Sequence, residues 1–391
     1  MIDLEGKLLK RAQRYVTIEA VESGTLTQGA AARGLGLSTR QVRRLQARVR
    51  AQGAAGLVHG NSGRPPHNKT SSEVRDRVIA LATTSYADYG FTHLAHELEP
   101  EGIRLSDETL RLWLRPLGHG SPPRRTRPHR KRRTRKPRLG ELLFLDGSPH
   151  HWFGPEHPPC CLLLASDDAT GQPLYGKFQP QEDRDGCFEV CYHLFAKFGL
   201  PAAFYLDRAS QFTTTRHSGI HVAQSDRELT HFERAMQLGV ALIFAHSPQA
   251  RGRGERLNGS FQTRLVPEFV HRGITDCQAA TRYLNSHFIP KYTKHFALPP
   301  VDPTPAWRPL VPNLDLKRVL CAKVPRAIAR DNTVRLDGAL FQLYPPKRLW
   351  RAEAQAWFDG SIHFWNPTCG ELKARRLSHS PSRPVSSQDR T

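Results

Sequence analysis

The chain has 391 residues, and its 57 Lys and Arg residues against 36 Asp and Glu residues give a formal net charge of +21. This length favours about two to four domains over a single core. A hydrophobic fraction of 38% excludes wholesale disorder. No apolar run is long enough to cross a bilayer, and the first residues lack a signal-peptide pattern. The surplus of basic residues favours a polyanionic partner, because each cation set against a phosphate releases condensed counterions.

Seven cysteines are spaced irregularly, which is typical of reduced thiols in a cytosolic protein. Cys187 and Cys191 fall in an apolar helical pattern with no matching His pair nearby. Core packing is therefore favoured over zinc binding for this pair.

The first motif along the chain is a pair of short helices joined by a turn. Small residues over 28–33 predict one helix, residues 34–37 predict the turn, and Ser38 is a favoured N-cap for a second helix. One face of that second helix carries the apolar residues Val42, Leu45 and Val49.

The other side of the second helix is basic, with Arg40, Arg43, Arg44 and Arg48. A helix-turn-helix needs an apolar back for docking and a basic front for the major groove, where an arginine fork bonds guanine O6 and N7. We therefore predict DNA binding by these four residues, and the alternative is a solvated surface helix.

A second helical segment follows, with helices predicted over 73–82 and 107–117 and with Ser106 as an N-cap. It is similar to another winged or helix-turn-helix module, although fewer basic residues face outwards, so DNA binding and plain packing both stay open. Residues 121–138 then hold ten Lys or Arg and no acid, which predicts a solvated basic linker. We expect this linker to track a DNA backbone or minor groove through Arg124, Arg125, Arg130, Lys131, Arg132 and Arg133.

Strand-like and helix-like runs alternate over residues 139–300, which is typical of an α/β domain. The predicted order is β-β-β-α-β-α-β-α. Asp146 ends the first predicted strand, Asp207 ends the fourth, and Glu255 heads the last helix. Clustered carboxylates suit hard divalent ions, and two such ions about 3.5–4 Å apart can activate an attacking oxygen and stabilise the leaving oxygen of a phosphodiester.

Five runs give this domain a specific resemblance: LFLDGSPHHWFG, SDDATG, FYLDRASQF, THFERAMQLGV and HSPQARGRGERLNGSFQTRLVPEF. With them the chain resembles DDE transposases that have a retroviral-integrase-like, RNase H-like catalytic core. Over residues 25–370 it is most similar to ISNCY-type insertion-sequence transposases of bacteria. The resemblance implies that Asp146, Asp207 and Glu255 are the catalytic acids and the metal ligands, and that the cofactor is Mg²⁺ or Mn²⁺, as two ions.

Basic residues near Glu255 have a supporting role in this interpretation. We expect Arg251, Arg253 and Arg256 to hold the scissile DNA strand at the start of the last helix, since helix N-termini favour phosphates. Glu255 lies 48 residues after Asp207, and the extra length is assigned to a polar insertion over 213–227.

Other polar residues of the domain receive more ordinary assignments. Asp226 and Glu228 are discounted as ligands, because neither ends an apolar strand. Trp152 is expected in the core in preference to a base stack. Asp167 and Asp168 are expected to cap a turn in preference to binding metal.

The C-terminal region contains short predicted strands over 316–319, 333–336, 339–344 and 361–365. Asp-Gly pairs between them favour hairpins. The resemblance implies that these hairpins form a small β-barrel, which we expect to bind DNA or another protomer. The predicted fold class is multidomain: N-terminal all-α helix-turn-helix modules, a central α/β RNase H-like core with a mixed five-stranded sheet and flanking helices, and a C-terminal small β-barrel. The predicted bounds are 1–65 and 66–120 for the two DNA-binding modules, 121–138 for the basic linker, 139–300 for the core, 301–370 for the barrel and 371–391 for a disordered tail.

The function predicted from these features is that of a DNA transposase, which binds terminal inverted repeats, cleaves DNA and joins the exposed 3′-hydroxyl to target DNA. Its expected partners are double-stranded DNA, as transposon ends and target, and further copies of the chain in a homodimer or higher oligomer, with no membrane. The expected location is the bacterial cytoplasm, in association with the nucleoid. Two alternatives stay open, namely a DNA-binding regulator with an inactive core and an RNase H-like nuclease.

Overall fold

The computed structural model describes residues 4–58, 61, 69–120, 134–207, 229–244 and 252–377. The chain divides into two compact units, Met1–Asp76 and Arg77–Thr391. The helices are α1 (Leu4–Glu22), α2 (Gln28–Leu35), α3 (Thr39–Gln52), α4 (Ser72–Thr83), α5 (Phe91–Leu98), α6 (Asp107–Leu114), α7 (Arg184–Phe198), α8 (His231–Met236), α9 (Gly252–Arg272), α10 (Cys277–Tyr283), α11 (Ile289–Phe296) and α12 (Leu316–Val319). The strands are β1 (Leu143–His150), β2 (Cys160–Asp167), β3 (Pro173–Gln179), β4 (Ala203–Leu206), β5 (Ala241–Phe244), β6 (Cys321–Ala327), β7 (Thr333–Leu336), β8 (Ala339–Tyr344), β9 (Arg351–Trp357), β10 (Ile362–Asn366) and β11 (Gly370–Leu377).

In the N-terminal unit, helices α1, α2 and α3 pack around a small apolar core of Ile18, Ala31, Ala32 and Val42. Ser38 caps α3 as predicted: the Gln41 amide donates to Ser38 Oγ over 3.3 Å, and the Ser38 amide donates to Gln41 Oε1 over 2.9 Å. This reciprocal pair satisfies two backbone donors that the helix itself leaves unpaired. The predicted helix-turn-helix is present in this unit.

The second helical segment belongs mostly to the larger unit. Its buried side chains include Val78, Ala82, Leu94, Leu98, Leu110 and Leu114. Ser106 caps α6 by accepting from the Thr109 amide over 3.2 Å, as predicted.

A mixed five-stranded sheet forms the centre of the larger unit, in the order β3-β2-β1-β4-β5. The three strands β3, β2 and β1 are antiparallel, whereas β1, β4 and β5 run parallel. Strand β1 lies in the middle, so it has a neighbouring strand on each side. The predicted mixed sheet with flanking helices is confirmed.

Strand β1 is longer than predicted. We expected it to end at Asp146, but it continues to His150, because residues 146–150 pair with Leu164–Cys160 of the long strand β2. Asp146 therefore lies inside a strand, and its position along the sheet is fixed by pairing on both sides of it.

Two apolar cores flank this sheet. On one face, Leu143 and Leu145 pack with the buried side of α7, including Phe188, and with Phe232 of α8. On the other face, α9 contributes Phe261, Leu265 and Phe269 to a core with Trp152 and Phe178, among others. Trp152 is fully buried and donates its indole N–H to the Ser148 carbonyl over 2.9 Å, so it belongs to the core as expected.

The predicted core packing of Cys187 and Cys191 is confirmed. Both residues are fully buried on the α7 side of the sheet, and burial raises the pKa of each thiol above its ordinary value. They lie among apolar side chains, where a neutral thiol acts as a small hydrophobe.

The C-terminal region is a curled six-stranded antiparallel sheet, in the order β6-β9-β10-β11-β8-β7. Since β6 and β7 are its two edges, it is a half-barrel in place of the expected closed barrel. Residues 316–319, predicted as a strand, form α12, because the Asp315 carboxylate accepts from the amides of Lys317 and Arg318 at a helix start. The predicted disordered tail is wrong for residues 371–377, which pair in β11 with β8 and β10.

Among the described residues, no helix combines the length and the apolar character that crossing a membrane requires.

Candidate active site

Two of the three predicted acids lie at equivalent positions on neighbouring strands. Strands β1 and β4 are parallel, with Leu143 opposite Phe204 and Phe144 opposite Tyr205. When this register is continued by two residues along each strand, Asp146 lies opposite Asp207, the residue directly after β4. Adjacent strands lie about 4.8 Å apart, so the two carboxylates belong to one local site.

The side chains of these two acids point to the α9 face of the sheet. Successive residues of a strand alternate between faces. Leu143, Leu145 and Leu206 all belong to the core on the α7 side, which leaves Asp146 and Asp207 for the opposite side. The rings of Phe144 and Tyr205, 5.6 Å apart, meet on that opposite side.

Helix α9 brings its first turns to Asp146. The Asn258 side-chain amide donates to Asp146 Oδ2 over 3.0 Å, and the Gln262 amide donates to Ser148 Oγ over 3.1 Å. A Cβ atom at Gly254 would lie 3.5 Å from Asp146 Oδ2, so the helix backbone itself comes close to the strand. Glu255 directly follows Gly254 and is exposed to solvent, at the same end of α9 that approaches Asp146.

Glu182 is an acid that the sequence analysis missed, and it lies on the α7 side of the sheet, opposite to the side chain of Asp146. It precedes α7, and a Cβ atom at Gly147 would fall only 2.1 Å from Glu182 Oε2. Burial, followed in size by the negative charge of Glu182, raises the pKa of the nearby Cys161 thiol to about 12. A glycine directly after a strand carboxylate was the available signal, because strand glycines mark close approaches.

Of the two acids in the turn between β2 and β3, Asp167 has the predicted capping role, whereas the Asp168 carboxylate bonds residues outside the turn. Asp167 Oδ1 accepts from the Thr170 amide over 2.8 Å, and its Oδ2 accepts from the Gly140 amide over 2.9 Å. Asp168 accepts from the Lys136 amide over 2.8 Å, and it also pairs with Arg253 of α9. Arg253, predicted to hold the scissile strand, thus has a carboxylate partner within the protein.

The predicted DNA-reading residues of the N-terminal unit lie on α3. Arg40, Arg43, Arg44 and Arg48 are all exposed, and Val42, on the opposite side, is fully buried. The Arg43 guanidinium donates to Gln28 Oε1 over 2.9 Å, which links α3 to α2.

Some predicted residues lie outside the described part of the chain. These are Arg124, Arg125, Arg130, Lys131, Arg132, Arg133 and Arg251, together with the discounted acids Asp226 and Glu228. Arg256 is described, is exposed, and lies in the first turns of α9 beside Glu255.

A separate cluster of His93, Glu97 and Glu268 places ligand-type atoms close enough to share a metal ion. His93 Nε2 lies 2.8 Å from Glu268 and 3.4 Å from Glu97. The Lys291 ammonium already pairs with Glu97, and the Tyr283 hydroxyl donates to Glu268. Because protein groups already bond both carboxylates, this cluster is a buried network that connects α5 to α9.

The donor chemistry of the predicted triad fits a hard divalent cation. Asp146, Asp207 and Glu255 offer only oxygen atoms, which Mg²⁺ and Mn²⁺ prefer. Asn258 holds Asp146 by one carboxylate oxygen, and such outer hydrogen bonds orient a ligand for its ion.

The N-terminal unit is thus a helix-turn-helix, and the larger unit carries a mixed sheet with two acids on neighbouring strands beneath a long helix. A family model described as a winged helix-turn-helix matches residues 14–76. A candidate transposase of Sinorhizobium fredii, y4bF, is 36% identical over 328 residues, covering 83% of this chain and 71% of that protein. The transposase for insertion sequence IS1202 of Streptococcus pneumoniae is 31% identical over 316 residues, covering 71% of this chain and 67% of that protein. The chain belongs to the insertion-sequence transposases, and the predicted membership is confirmed.

Similarity to solved structures is weaker. The chain is similar to a simian T-cell lymphotropic virus intasome bound to a PP2A regulatory subunit, with a TM-score of 0.32, 14% identity, and coverage of 76% of this chain and 98% of that chain. It is also similar to the HTLV-2 integrase catalytic core domain in complex with magnesium, with a TM-score of 0.27, 12% identity, and coverage of 40% of this chain and 85% of that chain.

Proposed function

We propose that this transposase binds the terminal inverted repeats of its element and catalyses metal-dependent DNA cleavage and strand transfer through Asp146, Asp207 and Glu255. The observation that carries the proposal is the site geometry. The register brings Asp146 and Asp207 together on one face of the sheet, and α9 reaches Asp146 through Asn258.

In this proposal the three acids hold two divalent ions, Mg²⁺ or Mn²⁺. When bound, such ions supply an activated attacking oxygen and stabilise the leaving oxygen of the phosphodiester. The chain itself orients the ligands: pairing with β2 fixes Asp146, the end of β4 fixes Asp207, and the start of α9 carries Glu255.

The start of α9 is also suited to the DNA backbone. The first amides of an α-helix have no partner within the helix, so a helix start favours a phosphate. Within the described part of the chain, a Cβ atom at Gly252 would meet no atom within 4 Å, which leaves room for a close approach, and Arg256 is exposed nearby in α9. We assign Arg256 and Arg251 to the scissile strand, and the basic linker to the flanking duplex.

Sequence recognition is assigned to α3. Arg40, Arg44 and Arg48 recur every four residues, so they share one exposed face that fits a major groove. Cutting and joining both ends of an element requires two active sites, so we propose a homodimer or higher oligomer on DNA.

The experiment that tests this function is strand transfer by the purified full chain, with Mg²⁺ and labelled DNA carrying the ends of its own element. Wild type is compared with Glu255→Gln and with Glu189→Gln, a control acid on α7 that pairs with Lys177. We expect joined products from wild type and from the control, and none from Glu255→Gln, with end binding retained by all three. Cleavage without joining would instead indicate a nuclease, and end binding without metal-dependent chemistry would indicate a regulator.

A further inference from the structure

Asp168 is a carboxylate in an unusual position, because it is only 1% exposed and faces a guanidinium there. Its two oxygens serve two different parts of the chain. Oδ2 accepts from the backbone amide of Lys136 over 2.8 Å, and Oδ1 pairs with the guanidinium of Arg253. A buried charge is tolerated when it is paired and hydrogen-bonded, as it is here.

The turn that carries Asp168 is fixed from several sides. Asp167 accepts from Gly140 and from Thr170, and the Gly171 amide closes the turn on the Asp167 carbonyl over 2.9 Å. The Arg135 guanidinium donates to the Asp168 carbonyl over 2.8 Å. Asp168 is therefore anchored to the central sheet, at the place where β2 ends beside the start of β1.

Arg253, the partner of Asp168, is the second residue of α9 and stands two residues before Glu255. One residue further on, the Gly254 backbone approaches Asp146, and in the next turn Asn258 bonds the same acid. The first turns of α9 are thus attached to Asp168 through Arg253 and to Asp146 through Asn258. With both attachments in place, the helix can neither rotate nor slide freely at the position of Glu255.

We propose that Asp168 is a positioning residue for the active site: through Arg253 it fixes the start of α9, and so places Glu255 in register with Asp146 and Asp207. This role rests on the proposed function, since it requires Glu255 to act with the two strand acids. It also assigns Arg253 to the protein interior in preference to the scissile strand, because its guanidinium meets a buried carboxylate.

Three variants of the Asp168–Arg253 pair and one control variant separate the positioning role from ordinary packing. Arg253→Gln removes the charge at the helix start while Asp168 keeps the Lys136 amide. Arg253→Lys keeps the charge but replaces a planar fork by a compact ammonium, so it should restore part of the function. Asp168→Asn completes a double-variant cycle with Arg253→Gln, and Lys177→Gln breaks a control ion pair between β3 and α7.

The test measures two properties of the full chain at saturating end DNA. One is Mn²⁺ binding by calorimetry, and the other is the Mg²⁺ concentration that gives half of the maximal cleavage rate. For Arg253→Gln and Asp168→Asn we expect both to weaken about tenfold, at the lower end of what outer-shell partners of metal ligands contribute. The double variant should be no worse than either single variant, because the two residues act as one pair. Lys177→Gln should match wild type.

Two results would overturn the role of Asp168. One is weaker DNA binding with a smaller salt dependence for Arg253→Gln and unchanged Mn²⁺ binding, which would make Arg253 a phosphate contact. The other is an active wild type together with Arg253→Gln, Arg253→Lys and Asp168→Asn variants that bind Mn²⁺ and cleave DNA as well as wild type does. A wild type that neither binds Mn²⁺ nor cleaves its DNA would instead overturn the proposed function itself, and the two failures are thus distinguishable.

Discussion

The two faces of the central sheet have different properties, although the same strands form both. On the α7 face, β1 presents Leu143 and Leu145 to a continuous apolar core. On the α9 face, the alternate residues Asp146 and Ser148 meet the amide side chains of Asn258 and Gln262. One strand therefore contributes stability on one side and the candidate chemistry on the other, because its side chains alternate.

This difference also shows how a polar site is kept inside a folded domain. The carboxylate of Asp146 is half-buried and hydrogen-bonded by Asn258, which is itself only 8% exposed. Further along the same helix, the apolar residues Phe261 and Leu265 are buried in the core on the α9 side of the sheet. The packed half of α9 thus holds the helix in place, and its first turns are left for function.

The largest effect is expected for Asp146→Asn on the α9 face. Loss of a metal ligand should lower the rate of metal-dependent cleavage at least about 10³-fold. Stability should be kept or slightly raised, since the change removes repulsion between Asp146 and Asp207 when no cation is bound. Cleavage rates and urea unfolding of the same preparation check this. A variant that still cleaves within tenfold of wild type would exclude Asp146 as a ligand.

The opposite face should respond to Phe188→Ala with a loss of stability. Phe188 is fully buried and stacks with Phe232 at a centroid distance of 5.9 Å, so truncation should cost about 3–5 kcal/mol of the free energy of unfolding. Val270→Ala is the control, because Val270 is exposed on α9 and should change stability by less than about 0.5 kcal/mol. Cleavage per folded molecule should be unchanged in both, and a specific rate loss in Phe188→Ala would show that the two faces are coupled.

An intermediate effect is expected for Asn258→Ala. Asp146 would lose the amide that orients it, so the cleavage rate should fall about tenfold with DNA affinity unchanged. Gln262→Ala is the matched control, because Gln262 bonds the Ser148 hydroxyl in place of the acid and should have a smaller effect. Equal losses in the two variants would indicate that α9 packing, rather than the orientation of Asp146, is what matters.

The smallest effect is expected at Gly259, on the exposed side of α9. A Cβ atom there would meet no atom of the described residues within 4 Å, and the backbone is helical, so Gly259→Ala should stabilise the protein by about 0.5–1 kcal/mol. Thermal unfolding measures this directly. If stability rises as expected but strand transfer fails, then DNA approaches α9 closely at Gly259 and the functional face extends beyond Asn258.

Much of the fold could be predicted from local patterns. Ser38 and Ser106 cap helices because a hydroxyl before an amphipathic run satisfies the first free amides. The apolar runs of the central domain predicted the five strands, since period and β-branched or aromatic content are local properties. The C-terminal region was harder: Cys321–Ala327, Arg351–Trp357 and Gly370–Leu377 are strands with weak alternation, and they are held by pairing with distant partners.

By itself, the sequence determined the class of protein, the alternating order of the central domain and the three acids proposed as its triad, because these follow from residue types and short-range spacing. Only the tertiary structure decided that β1 continues past Asp146, that Asp146 and Asp207 share a face, and that Asn258 holds the first of them. It also brought Asp168 to Arg253, 85 residues away, and Glu182 to Gly147. Such contacts depend on strand register and helix placement, which are set by the packing of the whole domain, so local patterns do not identify the two partners.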